Sequence, residues 1–169
     1  MSIDWQGVFP ALMTEFKDDG ALDLEATQRH IQSCMDAGIE GLVMLGTLGE
    51  NPSLTQDEKE QVLRAAVEVA GGKIPVLTGV AEYTTAFGIE FVKRAERAGC
   101  AGLMALPCMV YQQDRREAVT HFKTLAAATW EGAFPPKGAP AGGGGRGPGG
   151  LATAGTAHAA GPSNTTSPG

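Results

Sequence analysis

The sequence has few cysteines, and none of them stand in pairs. Its 169 residues contain Cys34, Cys100 and Cys108, with no CxxC spacing among them. Three cysteines without such spacing argue against a disulfide framework and a cysteine-based zinc site. They are typical of a protein kept in a reducing compartment. We therefore expect a cytoplasmic protein without a metal site.

The sequence also lacks an excess of positive charge and long apolar runs. The formal net charge is -6, and an acidic protein does not attract nucleic acid or an anionic membrane surface. No apolar run approaches the roughly 20 residues of a membrane-spanning helix. The segment from Met1 to Trp5 has neither the basic region nor the apolar run of a signal peptide. We expect neither a nucleic-acid partner nor a membrane partner.

Over residues 1–129 the sequence alternates short apolar runs with longer amphipathic ones. The apolar runs predict four strands, at residues 7–13, 41–45, 75–80 and 102–106. The amphipathic runs predict four helices, at residues 24–37, 54–70, 84–98 and 114–129. Apolar strands separated by helices are typical of parallel βαβ units with both faces of the sheet covered.

Local signals mark where these helices begin and end. Thr55 followed three residues later by Glu58 predicts a capping box at the start of the second helix. Gly38 and Gly99 predict the ends of the first and third helices, because glycine readily adopts the left-handed conformation that follows a helix.

The pattern stops at Trp130. Residues 131–169 are mostly Gly, Ala and Pro, with Ser and Thr near the end, and their large apolar residues are Phe134 and Leu151. Such a segment buries too little surface to offset the entropy of ordering it, so it should be disordered. We therefore divide the chain into a folded region, 1–129, and a low-complexity tail, 130–169.

The loop after the second predicted strand has the residues of an anion-binding turn. It comprises Gly46, Thr47, Leu48, Gly49, Glu50 and Asn51. In parallel βα architectures this edge carries the active site, and backbone N–H groups in a concave loop bind anions such as a carboxylate. Taken alone, the loop favours the simpler interpretation of a strand-to-helix turn that needs glycine.

Several motifs in order and in register resemble one family, the dihydrodipicolinate synthase / N-acetylneuraminate lyase family. They lie at residues 7–14, 46–50, 54–55, 74–79, 106–107 and 121–123. The resemblance covers residues 1 to about 129. It implies the first four βα units of a (β/α)₈ TIM barrel, a fold that takes about 250 residues when complete. It also implies a lyase or aldolase, in most members a homotetramer, that acts without a cofactor on pyruvate or a related 2-keto acid through a lysine Schiff base.

The resemblance assigns roles to the loop. Gly46, Thr47 and Leu48 take the positions that bind the substrate carboxylate, and Thr47 takes that of a catalytic proton-relay residue. Leu48 replaces the family's usual second threonine, which removes one hydroxyl contact but leaves a backbone N–H. This difference favours another 2-keto-acid reaction over dihydrodipicolinate synthesis. Glu50 is expected to be structural.

The segment after the fourth predicted strand departs from the family's Pro-Tyr-Tyr motif. Tyr111 lies further from Pro107, so it could serve the relay from a shifted position or lie at a loop or interface. Cys108 is interpreted as a small packed residue, because no histidine is placed in sequence to activate it. His121 is expected at the barrel rim.

The Schiff-base lysine of the family, on the sixth strand, has no counterpart in the sequence, nor does the Tyr-Asn-x-Pro motif of the fifth. The lysines present fall on loops, helices or the tail: Lys17, Lys59, Lys73, Lys93, Lys123 and Lys137. We hypothesise a frameshift near codon 129 that truncates the enzyme before this lysine. The alternatives are a catalytically inactive fragment and a module that binds a keto acid without catalysis.

Overall fold

A computed structural model describes residues 6–108, 110, 112–129 and 150–153 of the chain. Four α-helices are described: α1 (Leu24–Asp36), α2 (Gln56–Ala70), α3 (Thr85–Ala98) and α4 (Arg115–Ala128). The described strands are β1 (Leu42–Met44), β2 (Val76–Val80), β3 (Gly102–Ala105) and β4 (Gly150–Thr153). A single 3₁₀ turn, Asn51–Ser53, lies between β1 and α2.

The strands form one parallel sheet in the order β1-β2-β3-β4. Leu42 pairs with Val76, and Leu77 pairs with Gly102. Because every strand runs in the same direction, the loops that leave their carboxyl ends meet at one edge of the sheet. This arrangement confirms the predicted succession of parallel βα units.

The helices begin and end at the predicted signals. The Thr55–Glu58 capping box is present, and Gly99, with φ of +97°, ends α3 in the left-handed conformation. A second capping box joins Asp114 and Glu117 at the start of α4. No described helix combines the length and apolar character needed to cross a bilayer.

The apolar core lies between one face of the sheet and the helices. Ile31, Leu63, Phe91 and Leu125 supply one fully buried side chain from each of the four helices. Burial of a side chain of this size contributes roughly 1.5–3 kcal/mol. The helices are therefore anchored to the sheet, and the loops between them are held in place.

The predicted first strand, residues 7–13, is not a buried strand. It makes an isolated parallel bridge between Ala11 and Val43, with the Leu12 N–H donating to the Val43 carbonyl at 3.0 Å. Pro10 has no N–H to donate, which interrupts a regular ladder. Val8 and Met13 are exposed, since among the described residues this segment pairs on one side only.

The tail differs from the prediction at one short stretch. The sequence predicts no strand after residue 130, yet Gly150–Thr153 forms β4 along β3. The physical reason is that the free edge of β3 presents unpaired N–H and C=O groups, which accept almost any extended backbone. The rest of residues 130–169 lies outside the described part of the chain.

Candidate functional site

The loop after β1 is a strained, tightly hydrogen-bonded turn. Leu45 and Glu50, which flank it, have φ of +53° and +54°. Such left-handed conformations cost a non-glycine residue about 1 kcal/mol or more, and they cluster at functional sites. Inside the turn the Gly49 N–H donates to the Gly46 carbonyl at 3.1 Å, and the Glu50 N–H donates to the Thr47 carbonyl at 3.2 Å.

This geometry places Thr47 and Leu48 at the exposed tip of the turn, with Gly46 buried behind them. The N–H groups of Thr47 and Leu48 and the Thr47 hydroxyl donate to no acceptor among the described residues. Leu48 has 60% of its surface exposed. Two adjacent N–H groups and a hydroxyl at the carboxyl edge of a parallel sheet can bind a carboxylate.

Asn51 holds this loop against the sheet, a role that the sequence analysis missed. Its side chain is fully buried, and its Nδ2 group donates to the carbonyls of Leu45 at 2.8 Å and Gly79 at 3.0 Å. It thereby ties the end of β1 to the end of β2. Thr14 adds a further anchor, because its hydroxyl donates to the Gly49 carbonyl at 2.8 Å.

A buried ion pair lies on the helix side of the same edge. Lys59 Nζ of α2 is 2.6 Å from Glu82 Oε1, in the loop after β2, and the two side chains are only 4% and 8% exposed. Gln56 Nε2 donates to the other Glu82 oxygen at 2.9 Å, and Lys59 Nζ lies 5.3 Å from the centre of the Phe91 ring. One sequence signal could have indicated that Lys59 is buried, because it shares the helix face of Val62 and Leu63.

Because of this ion pair, Lys59 is a poor candidate for a Schiff-base lysine. A lysine that attacks a carbonyl must present a neutral amine, whereas the Lys59 ammonium is held by a carboxylate. The other described lysines, Lys17, Lys73, Lys93 and Lys123, are exposed and lie outside the strands. Lys137 lies outside the described residues.

The interpretation of Cys108 as a residue without a histidine partner is wrong. Its Sγ lies 3.6 Å from Nδ1 of His121, a buried residue of α4 that lies beside the carboxyl end of β3. The pair was not predictable from the local sequence, because the helix turn that carries His121 folds back over the end of β3. Tyr111, the second candidate relay residue, lies outside the described residues.

The described residues offer little for a metal ion. No group of three or more His, Cys, Asp or Glu side chains converges within the described ranges.

Comparison with known proteins places these features in context. A model of the dihydrodipicolinate synthetase family matches residues 4–131. The chain is 39% identical over 122 residues to a 4-hydroxy-tetrahydrodipicolinate synthase of Acidothermus cellulolyticus, covering 72% of this chain and 40% of the relative. It is 36% identical over 122 residues to an uncharacterized DapA-like lyase of Halobacterium salinarum, with 72% and 40% coverage.

Solved structures agree with these relatives. The dihydrodipicolinate synthase of Aquifex aeolicus matches with a TM-score of 0.70 and 33% identity, over 74% of this chain and 42% of that one. YagE of E. coli K12, a member of the dihydrodipicolinic acid synthase family solved in complex with pyruvate, matches with a TM-score of 0.71 and 27% identity, over 74% and 42%. The chain thus spans less than half the length of the relatives it matches.

Proposed function

Because this chain belongs to the dihydrodipicolinate synthetase family through residues 4–131, we propose that its Gly46–Thr47–Leu48 loop binds the carboxylate of pyruvate or a related 2-keto acid for a lyase or aldolase reaction. The folded region supplies the first βα units of this family's TIM barrel. The edge at which the loop lies is the edge where such barrels carry their active sites.

The observation that carries the proposal is the set of unused donors at the tip of the turn. The N–H groups of Thr47 and Leu48 can each donate to one carboxylate oxygen, and the Thr47 hydroxyl can donate to the same group or pass on a proton. The buried amide of Asn51 and the Thr14 hydroxyl hold the turn in place before a ligand arrives. A preorganised site of this kind loses less entropy on binding.

In this proposal the binding step and the covalent step belong to different parts of the enzyme. The described residues hold and orient the keto acid, and Thr47 relays a proton, with Tyr111 as its proposed partner. The lysine that attacks the keto carbon, forming the imine and releasing water, belongs to the sixth strand of the complete enzyme and is absent from this sequence. Leu48, in place of a hydroxyl residue, favours a substrate other than that of dihydrodipicolinate synthesis.

Replacing Thr47 by valine is expected to weaken pyruvate binding by roughly 10- to 100-fold, since a hydrogen bond to a charged group contributes about 1.5–3 kcal/mol. Binding is measured by ligand-observed NMR on the full chain. Ser53→Ala, an exposed change in the neighbouring 3₁₀ turn, is the matched control and should leave the affinity unchanged. Equal affinities of wild type and Thr47→Val would refute the assignment of the carboxylate to this loop.

Borohydride reduction in the presence of pyruvate separates catalysis from binding. We expect no covalent adduct on this chain by mass spectrometry, because the one buried described lysine, Lys59, is paired with Glu82. A reduced adduct on any lysine would refute this expectation and establish Schiff-base chemistry in the chain itself. Retained pyruvate binding without an adduct favours the second candidate function, a keto-acid-binding module, which the same loop supports.

We also propose that residues 130–169 come from a frameshift near codon 129. The support is the change from amphipathic periodicity to Gly, Ala and Pro within a few residues of Thr129. Translation of the DNA beyond this codon in the other two frames should give a Tyr-Asn-x-Pro strand followed by a strand with a Lys-Glu or Lys-Asp pair. The proposal fails if neither frame contains them.

A further inference from the structure

A second cluster of reactive groups lies at the carboxyl ends of β2 and β3, apart from the Thr47 loop. It consists of Cys108, His121 and Thr85, which line a pocket of about 560 Å³. The remaining lining is mostly polar and includes Gln112, Arg116 and Thr120. The carboxylate site proposed above uses none of these residues.

The hydrogen bonds of His121 determine which ring nitrogen can accept a proton. Nε2 lies 3.2 Å from the Leu106 carbonyl, which can only accept, so Nε2 carries the hydrogen. Nδ1 is therefore the acceptor in the neutral ring. Its single lone pair can accept from one of two neighbours, the Thr85 hydroxyl at 2.9 Å or the Cys108 Sγ at 3.6 Å. The Thr85 hydroxyl can also accept, so it can turn its hydrogen away when Nδ1 takes up the Cys108 proton.

This arrangement suits a thiol that must lose its proton to react. When Nδ1 accepts the Cys108 proton, both ring hydrogens keep an acceptor: the Leu106 carbonyl for Nε2, and the thiolate or the Thr85 oxygen for Nδ1. His121 is only 3% exposed, whereas Cys108 is partly exposed and lines the pocket, so the sulfur is the accessible member of the pair. A cysteine next to a histidine that takes up its proton, which gives a thiolate beside an imidazolium, is the recurrent arrangement of reactive cysteines.

We propose that Cys108 is a site of covalent modification by small polar electrophiles, with His121 as its proton acceptor. With an α-haloamide such as iodoacetamide, the sulfur forms a bond to the methylene carbon, the carbon–iodine bond breaks, iodide leaves, and the thiol proton passes to Nδ1 of His121. The inference is independent of the proposed carboxylate site, because it rests on residues that this site does not use.

The chain contains its own reference thiols. Cys34 is partly exposed, as Cys108 is, but has no histidine contact among the described residues. Cys100 is buried, and this burial raises the pKa of its thiol to about 12. Differences in rate among the three therefore separate the effect of the histidine from that of exposure.

The test is the rate of carbamidomethylation of each cysteine in the full chain at neutral pH, followed by mass spectrometry. We expect Cys108 to react about tenfold faster than Cys34, with Cys100 slowest, and all three to react at similar rates in concentrated guanidinium. His121→Gln should reduce the Cys108 rate to that of Cys34. The matched control His30→Gln changes a helix histidine that contacts Glu15 and should leave the Cys108 rate unchanged.

Two further measurements keep the test decisive. If His121→Gln unfolded the chain, Cys100 would lose its protection, so a still slow Cys100 identifies a folded variant. For a second variant, His121→Ala, whose Cys100 is also still slow, added free imidazole should restore the carbamidomethylation rate of Cys108. If His121 had only a structural role, imidazole would not restore this rate. Equal rates of Cys108 and Cys34 in the native wild type, or a lack of imidazole rescue, would overturn the proposal.

Discussion

Replacing Glu82 by glutamine is expected to lower the free energy of unfolding by about 3–5 kcal/mol, the typical cost of leaving one member of a buried ion pair without its partner. Lys59 and Glu82 are nearly inaccessible to water and are 2.6 Å apart. Glutamine keeps an oxygen that can accept from the ammonium but no negative charge to balance it, and the other contact is the Phe91 ring, whose centre lies 5.3 Å away. A cation–π contact of about 2 kcal/mol offsets only part of this loss.

The measurement is urea unfolding monitored by circular dichroism. A double variant, Lys59→Met with Glu82→Leu, should recover most of the loss, because an apolar pair of similar volume leaves no buried charge. As a matched control, Glu25→Gln removes one partner of a helix pair whose side chains are 69% and 90% exposed, and it should cost less than about 0.5 kcal/mol. A small effect of Glu82→Gln, close to that of the control, would mean that water reaches Lys59.

Replacing Gly79 by alanine is expected to destabilise the chain by about 3 kcal/mol and to displace the proposed binding loop. A Cβ at this position on β2 would overlap the Leu45 carbonyl oxygen and would come within 2.8 Å of the Leu45 carbonyl carbon. These atoms are backbone, so they cannot move away as a side chain would. Overpacking of this kind costs about 1–3 kcal/mol, and the bonds from Asn51 to the Leu45 and Gly79 carbonyls would be strained as well.

Gly46→Ala is the matched control, since it adds the same methyl group to the loop itself. The nearest atom to a Cβ there is Met104 Cε at 3.7 Å, an ordinary contact with a flexible side chain. We expect a change below about 1 kcal/mol, because φ at Gly46 is not positive. The measurement is the denaturation midpoint of Gly79→Ala and of Gly46→Ala. An equal loss of stability in both would show that the loop requires glycine itself rather than the close approach of β1 and β2.

The fold could be predicted because its signals are local. The capping box of Thr55 and Glu58 and the left-handed Gly99 depend on neighbours within a few residues, so the chain specifies them wherever the helix packs. The predicted strand at residues 7–13 failed for the opposite reason. Its apolar pattern suits a strand with two neighbours, and Pro10 leaves a single parallel bridge where the described residues offer one neighbour.

The proposed binding loop was also predictable only in part. Its glycines, Thr47 and Leu48 mark a turn at a strand end, and that much follows from the pattern alone. What holds the turn does not, since the bond from Asn51 to the Gly79 carbonyl spans 28 positions. It exists because parallel pairing brings the ends of β1 and β2 side by side.

By itself the sequence determined the alternation of strands and helices, the helix caps and the position of the turn after β1, because periodicity and capping act within one or two helical turns. The tertiary structure alone decided which distant side chains meet. Lys59 reaches Glu82 across 23 positions, and Cys108 reaches His121 across 13. Both contacts depend on how α2 and α4 pack over the sheet, and that packing is set by the sum of many apolar contacts.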